Sequence, residues 1–376
     1  MINLSIYIIY YILMIALPSI GYGTLLKKGN IIYKFSIGFF VFIGLFYSLT
    51  SLISLFKIKI FFAILYMFIL QIIGYILLVM NRHKVDCKVN NWIFGLVYFI
   101  IVFTFFSYYT FNIELNDGTF YTSIVNEVQY NNYFGYVDYT TGALTSSINP
   151  QYDFSTYNFL WGILLKLQNI LTILLFGSSK LNYFWFIWGS FTISCIAIYG
   201  LYSELINNFN IKHFFNKVFL LVFPILFLSS QHYSITHSTM AGNLRDIILA
   251  YYLYNLYKFI KEENYRDIIL STLLAQSMIS TSSSGMFIIV VVDIIVFVYL
   301  ILKRPINFYK YIGILAIPVA QFALMFYGII ILIPIVLFYL LLYVYHINSE
   351  KTKLRMIKIS KLLLISLLIV VIILNA

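Results

Sequence analysis

Apolar residues in this chain gather into blocks of about 20, separated by short clusters of turn residues and charges. That length lets a helix cross a hydrocarbon core about 30 Å thick. The pattern predicts spanning helices near 4–22, 33–55, 60–80, 92–111, 183–202, 214–232, 244–260, 267–283, 286–302, 311–327, 329–346 and 362–376. Lys27-Lys28-Gly29-Asn30, the stretch 81–91, Lys303-Arg304-Pro305 and the stretch 348–361 separate most of them. The segments 267–302 and 311–346 are each just long enough for two short helices. In the first of these, Ser280 to Ser284 and Gly285 form the hairpin tip. The expected fold is all-α, a polytopic helical membrane protein of about twelve transmembrane helices.

Composition agrees. Of 376 residues, 62% are hydrophobic and only 10% charged, whereas soluble domains carry roughly 25% charge. There is too little polar surface to cover a water-soluble globule, and no soluble domain is expected. Cys87 and Cys195 form no CxxC or zinc spacing and no disulfide framework. The net charge of +11 fits basic cytoplasmic loops and calls for no nucleic-acid partner. The N-terminus has no basic n-region or small-residue cleavage site, so the first helix is expected to be retained.

The run 156–177 is long enough to cross, yet Lys166 sits in its middle. Charge placement decides how to read it. If this run does not cross, 19 of the 24 basic residues lie on the cytoplasmic side. If it crosses, every basic residue from Lys212 onward, bar Arg245, moves outside, against the positive-inside rule. We therefore read 156–177 as an interfacial or re-entrant helix on the outer face of the plasma membrane, with Lys166 reaching the headgroups. The organisation is a three-helix region 1–91, a core 92–302 containing one long outer loop 112–182, and C-terminal helices 303–376.

Between Lys88 and Lys166 there is no Lys or Arg, but Glu114, Asp117, Glu127, Asp138 and Asp153 fall there, five of the thirteen acids. The stretch 112–155 is the longest non-apolar one and is rich in Tyr and Asn. Loops of that length are usually functional or disordered, and the tyrosines give this one something to pack. Asp117 follows the fourth run by a few residues, at the outer interface. A partly desolvated carboxylate there can act as a general base toward a hydroxyl or bind a divalent cation, magnesium or manganese. Asp117 also suits the N-cap of a helix through Gly-Thr-Phe-Tyr121, which is the purely structural alternative. Asp138 and Asp153 read as turn residues.

A second outer segment runs from Gln231 to Asp246. Its Ser and Thr hydroxyls, Gly242 before a helix and Arg245 in the first turn suit a phosphate. The plainer alternative pairs Arg245 with Asp246. His232 and His237 are five residues apart, a poor spacing for two ligands on one helical face, and form no metal site. Asp293 is the one carboxylate in the middle of a run. It should face protein or a water-filled cavity, either relaying protons or hydrogen-bonding the hydroxyls of 267–284. Without a second intramembrane acid, the structural role is favoured.

The order of these features, a helix, an acidic outer loop opening Asn116-Asp117-Gly-Thr-Phe-Tyr121, an apolar interfacial helix ending Ile-Leu-Leu-Phe-Gly177 and then a spanning helix, resembles the first outer loop of GT-C-type integral membrane glycosyltransferases. With Ser282-Ser-Ser-Gly285, it is similar to an uncharacterised group of bacterial GT-C-like proteins. The resemblance implies an inverting transferase that takes sugar from a polyprenyl-phosphate donor at the outer leaflet, without a nucleotide. The acceptor would be a glycan or lipid in envelope or surface-polysaccharide assembly. It places catalysis, and any metal, at Asp117 and the donor phosphate at Arg245, with Tyr121, His237 and Lys166 completing the substrate-binding set. Asn116 stands where such loops often carry a tandem acid, and the segment 231–243 has no carboxylate. Other readings are a polysaccharide polymerase, a lipid-linked oligosaccharide flippase, or a non-catalytic scaffold. The absence of Lys and Arg from 112–155 weighs against a polymerase that grips pyrophosphate with loop arginines.

Overall fold

The computed structural model describes residues 2–26, 29–85, 124–134, 156–177, 184–218, 241–282, 284–303 and 308–348, with isolated positions elsewhere. The runs expected at 92–111 and 362–376, most of 214–232, and the loop residues 112–123 and 135–155 lie outside the described residues. Every long element described is a helix. These are α1 (Ile2–Tyr11), α2 (Leu17–Gly23), α3 (Ile31–Leu55), α4 (Ile60–Met80), α5 (Thr156–Phe176), α6 (Phe184–Asn208), α7 (Ala241–Glu262), α8 (Tyr265–Thr281), α9 (Ser284–Lys303), α10 (Phe308–Tyr327) and α11 (Leu332–Ile347). Six helical stretches are long and apolar enough to cross a membrane. One of these, Phe308–Ile347, is a hairpin, because the chain turns back at Gly328, whose φ of +70° suits glycine.

Two prolines show how neighbouring helices repair the backbone. Pro18 cannot donate to the carbonyl of Met14, and its ring crowds that carbonyl. The helix widens there into a π-turn over Ile12–Ala16. Gln71 of α4 donates to the freed Met14 oxygen at 2.8 Å, and Tyr75 donates to Leu13 at 2.5 Å. Pro318 in α10 likewise leaves Ile314 without its donor, and the Thr272 hydroxyl of α8 supplies one at 3.3 Å. Polar side chains inside apolar runs thus serve as donors to broken helices.

Close packing rests on glycine. A Cβ on Gly38 of α3 would lie 1.8 Å from the Ser19 carbonyl oxygen, and one on Gly44 would lie 2.2 Å from that of Leu273. No side chain fits at either point, so the backbones of α2, α3 and α8 approach as only small residues allow. Helix α3 is the hub, packing against α2, α4, α5, α6, α8 and α10. Its residues from Phe39 to Ile43 are almost wholly buried.

Contacts fix the relative directions of the helices. Met14 meets Gln71 and Thr24 meets Leu77, so α2 and α4 are parallel. Gly23 meets Lys34 while Ser19 meets Gly38, so α3 is antiparallel to them. Asn30 bonds Ser203, and Gly200 lies against Ser36, so α6 is antiparallel to α3 and parallel to α4. The sense of α7, α9 and α11 matches that of α4, and α8 and α10 match α3.

That order constrains α5. The carbonyl of Asn132 accepts from the Ile60 amide at 2.7 Å, so the chain has reached the end of the bundle that carries Lys57 and Lys59. Helix α6 starts at that same end, because it is parallel to α4. The chain between Asn132 and Phe184, which contains α5, therefore begins and finishes at one end of the bundle. Within it, Tyr157 pairs with Ser190 and Trp161 with Phe186, so α5 runs antiparallel to the start of α6.

Candidate functional site

The end carrying Lys57 and Lys59 gathers most of the described sequence candidates. Helix α5 enters it with its first half buried on all sides, from Thr156 to Leu165. Three tyrosines of the first helix hold its middle and second half. Tyr7 shares a hydrogen bond with Thr172 at 3.1 Å, Tyr10 donates to the Leu164 carbonyl at 2.8 Å, and Tyr11 donates to Gln168 at 2.6 Å. Such bonds are worth about 0.6 kcal/mol each in membrane proteins, with maxima near 1.7. Beyond Ile170 the helix exposes Ile173, Leu174 and Leu175, an apolar tip suited to lipid.

Lys166 has a different task from the expected one. Its ammonium donates to the Val128 carbonyl at 2.8 Å, near the C-terminus of the short helical segment 124–130. A cation there satisfies an orphan carbonyl and complements the helix dipole. Gly162 of the same helix lets Val125 and Val128 pack close, since a Cβ would fall 2.7 Å from the Val128 side chain. Gln129 then donates to the Gly162 carbonyl at 2.8 Å. Lys166 thereby ties the loop segment 124–134 to α5.

Arg245 lies in the first turn of α7 and is partly exposed. It pairs with Asp246 at 2.7 Å and donates to the Ser284 hydroxyl at 2.5 Å. Ser284 in turn shares a hydrogen bond with Ser282 at 2.7 Å. Two separate sequence candidates, the Arg245 segment and the Ser-Ser-Ser-Gly turn, thus meet where α7 and α9 both present their N-terminal ends. The pairing with Asp246 is the plainer of the two alternatives, and it offsets the charge that a phosphate would use. The Arg245 head can still bridge a ligand to the Ser282–Ser284 turn, provided Asp246 yields.

Asp117, Tyr121 and His237 lie outside the described residues. Among the described residues, no three His, Cys, Asp or Glu side chains cluster as a metal site. Asp293 does have a partner, but not the hydroxyl-rich helix α8: Tyr252 of α7 donates to its Oδ1 at 2.6 Å. The carboxyl is 2% exposed, and its Oδ2 has no partner. A buried pair of this kind locks α7 to α9.

Sequence reasoning passed over two polar groups. Gln276 and Gln321 link α8 to α10, with Ser48 donating to Gln276, Gln276 to Gln321, and Gln321 to Ser51 and the Ser48 carbonyl. At the opposite end, Glu204 of α6 takes a hydrogen bond from Asn208 and pairs with Lys258 of α7 at 3.6 Å. The Lys258 ammonium also lies 4.4 Å over the Tyr254 ring, so the pair sits in aromatic surroundings. The signal for both groups was polar residues inside or beside apolar runs, which marks burial but not partners.

No family model, no curated protein and no solved structure matches the chain.

Proposed function

We propose that this protein is an integral membrane glycosyltransferase of envelope or surface-polysaccharide assembly, taking sugar from a polyprenyl-phosphate donor at the outer leaflet. Asp117 acts as the base toward the acceptor hydroxyl, or holds a divalent cation beside it. The observation that carries the reading is the course of the chain from within the acidic loop to α6. Residue Asn132 and the start of α6 share one end of the bundle, so the stretch that carries α5 returns to the end it left. Arg245 and the Ser282–Ser284 turn face that same end, which supports one site shared between loop and bundle. The absence of Lys and Arg between Lys88 and Lys166 fits a carboxylate that takes a proton, since no cation of its own segment neutralises it.

The test is sugar transfer from a synthetic polyprenyl-phosphate sugar by purified protein, comparing the native chain with Asp117→Asn. The variant should insert and unfold at the native temperature while transfer falls by at least about a hundredfold, in line with loss of a general base. Full transfer by the variant removes Asp117 from catalysis. A polymerase would instead extend a lipid-linked repeat unit and leave the monosaccharide donor unused.

A further inference from the structure

Helix α5 starts inside the bundle. Tyr157 shares a hydrogen bond with Ser190 at 2.7 Å, and Ser190 is six residues into α6, or about 9 Å below its end. The amide groups of a first helical turn have no partners within the helix, and the helix dipole makes that end electropositive. In the low dielectric of a membrane protein, half-helices that begin in the interior point such ends at anionic groups.

Side chains at the same place are unsatisfied. Asn158 is fully buried, and neither its Oδ1 nor its Nδ2 has a partner. Thr156 Oγ1 is in the same state. Side chains in a helix lean toward its N-terminus, so Thr156 and Asn158 lean toward the amides of their own first turn. Helices α3 and α8 both pack against α5. Each carries one more buried, unpartnered hydroxyl within two turns of its end on this side, Thr50 on α3 and Ser277 on α8. Buried polar groups are normally paired, and one left alone costs stability, so several on helices packed together toward one end call for an occupant.

We propose that the buried N-terminus of α5, with Thr156 and Asn158, binds the phosphate of an anionic ligand entering from the Lys57 end. The amides, the Asn158 Nδ2 and the Thr156 hydroxyl donate to phosphate oxygens. The Asn158 Oδ1 accepts from a protonated phosphate oxygen or an adjoining hydroxyl. Free phosphate and a lipid phosphate present the same chemistry here. The site needs neither Asp117 nor sugar transfer, so it stands or falls separately from the enzymatic reading.

The experiment measures the unfolding temperature of the purified full chain with two probes, inorganic phosphate in detergent and phosphatidic acid in nanodiscs of phosphatidylcholine. The native chain should show a saturable rise with at least one probe. A response to phosphate assigns a soluble anion, and a response to phosphatidic acid alone assigns a lipid headgroup. Asn158→Leu is close in shape and removes the unpaired amide, so without ligand its unfolding temperature should equal or exceed the native one. Its affinity for the responding probe should fall by about tenfold or more. Thr156→Val should weaken binding in the same direction. No response of the native chain to either probe overturns the proposal, as does full affinity in Asn158→Leu. A lower ligand-free unfolding temperature in Asn158→Leu also overturns it, because the amide would then have a partner in the fold.

Discussion

Helix α3 and the hairpin α10–α11 are both apolar enough to span a membrane, but they reach stability by different means. In α3, 78% of the most apolar window is buried in the protein, against 6% for the window within Phe308–Ile347. The hub is held by backbone contacts at Gly38 and Gly44 that no side chain could enter. The hairpin shows its side chains outward, with Ile330 at 82% exposure, and between α9, α10 and α11 it leaves an apolar recess of about 330 Å³ lined by Phe297, Ala316, Ala320 and Pro334. Lipid tails are as apolar as leucine, so burial between helices gains little, and close packing and polar bonds decide which helices hold together. Hydropathy alone therefore marks both regions as able to span, while their mechanics differ.

That contrast can be broken most sharply at glycine. Gly38→Ala forces its Cβ against the Ser19 carbonyl and should lower stability by more than about 4 kcal/mol or abolish folding. Gly313→Ala on α10 meets nothing closer than 3.4 Å, and should raise stability by up to about 1 kcal/mol through helix propensity. Thermal unfolding in detergent measures both, and equal losses would erase the distinction between hub and hairpin. Next in size is Gln321→Leu at the seam between the regions. It strands Gln276 and Ser51 in a buried setting and should cost about 1–3 kcal/mol, with proteolysis accelerated first in α10–α11. The smallest effect belongs to Tyr339→Phe, which removes a single bond from its hydroxyl to the Gly313 carbonyl inside the hairpin. A loss near 0.6 kcal/mol is expected by the same unfolding measurement.

Several helices were legible in the chain because an apolar run and its flanking polar residues mark a helix directly. The run at 60–80 coincides with α4, and 156–177 with α5 to within one residue. Other features were hidden because they depend on where helices meet. Nothing local distinguishes Gly38, which touches a backbone, from Gly313, which does not. Pro18 was visible, but the π-turn before it and its repair by Gln71 require knowing that α4 lies alongside. Lys166 was recognised as out of place, yet its partner, the Val128 carbonyl, is 38 residues away along the chain. Asp293 was seen to need a partner, and Tyr252 looked like any other tyrosine of an aromatic helix. Asp117, Tyr121 and His237, on which the catalytic reading turns, lie outside the described residues.

The return of the chain to one end of the bundle between Asn132 and Phe184 brings the loop segment 124–134, the Arg245 turn and the start of α6 to that end. Membrane-impermeant maleimide labelling of intact cells tests it directly, using single cysteines in a chain with Cys87 and Cys195 replaced by serine. Tyr133→Cys, before α5, and Ser178→Cys, after it, should both label from outside, while Asn210→Cys beyond α6 should label only after the membrane is opened. Tyr133→Cys and Ser178→Cys labelling from opposite sides would contradict the account.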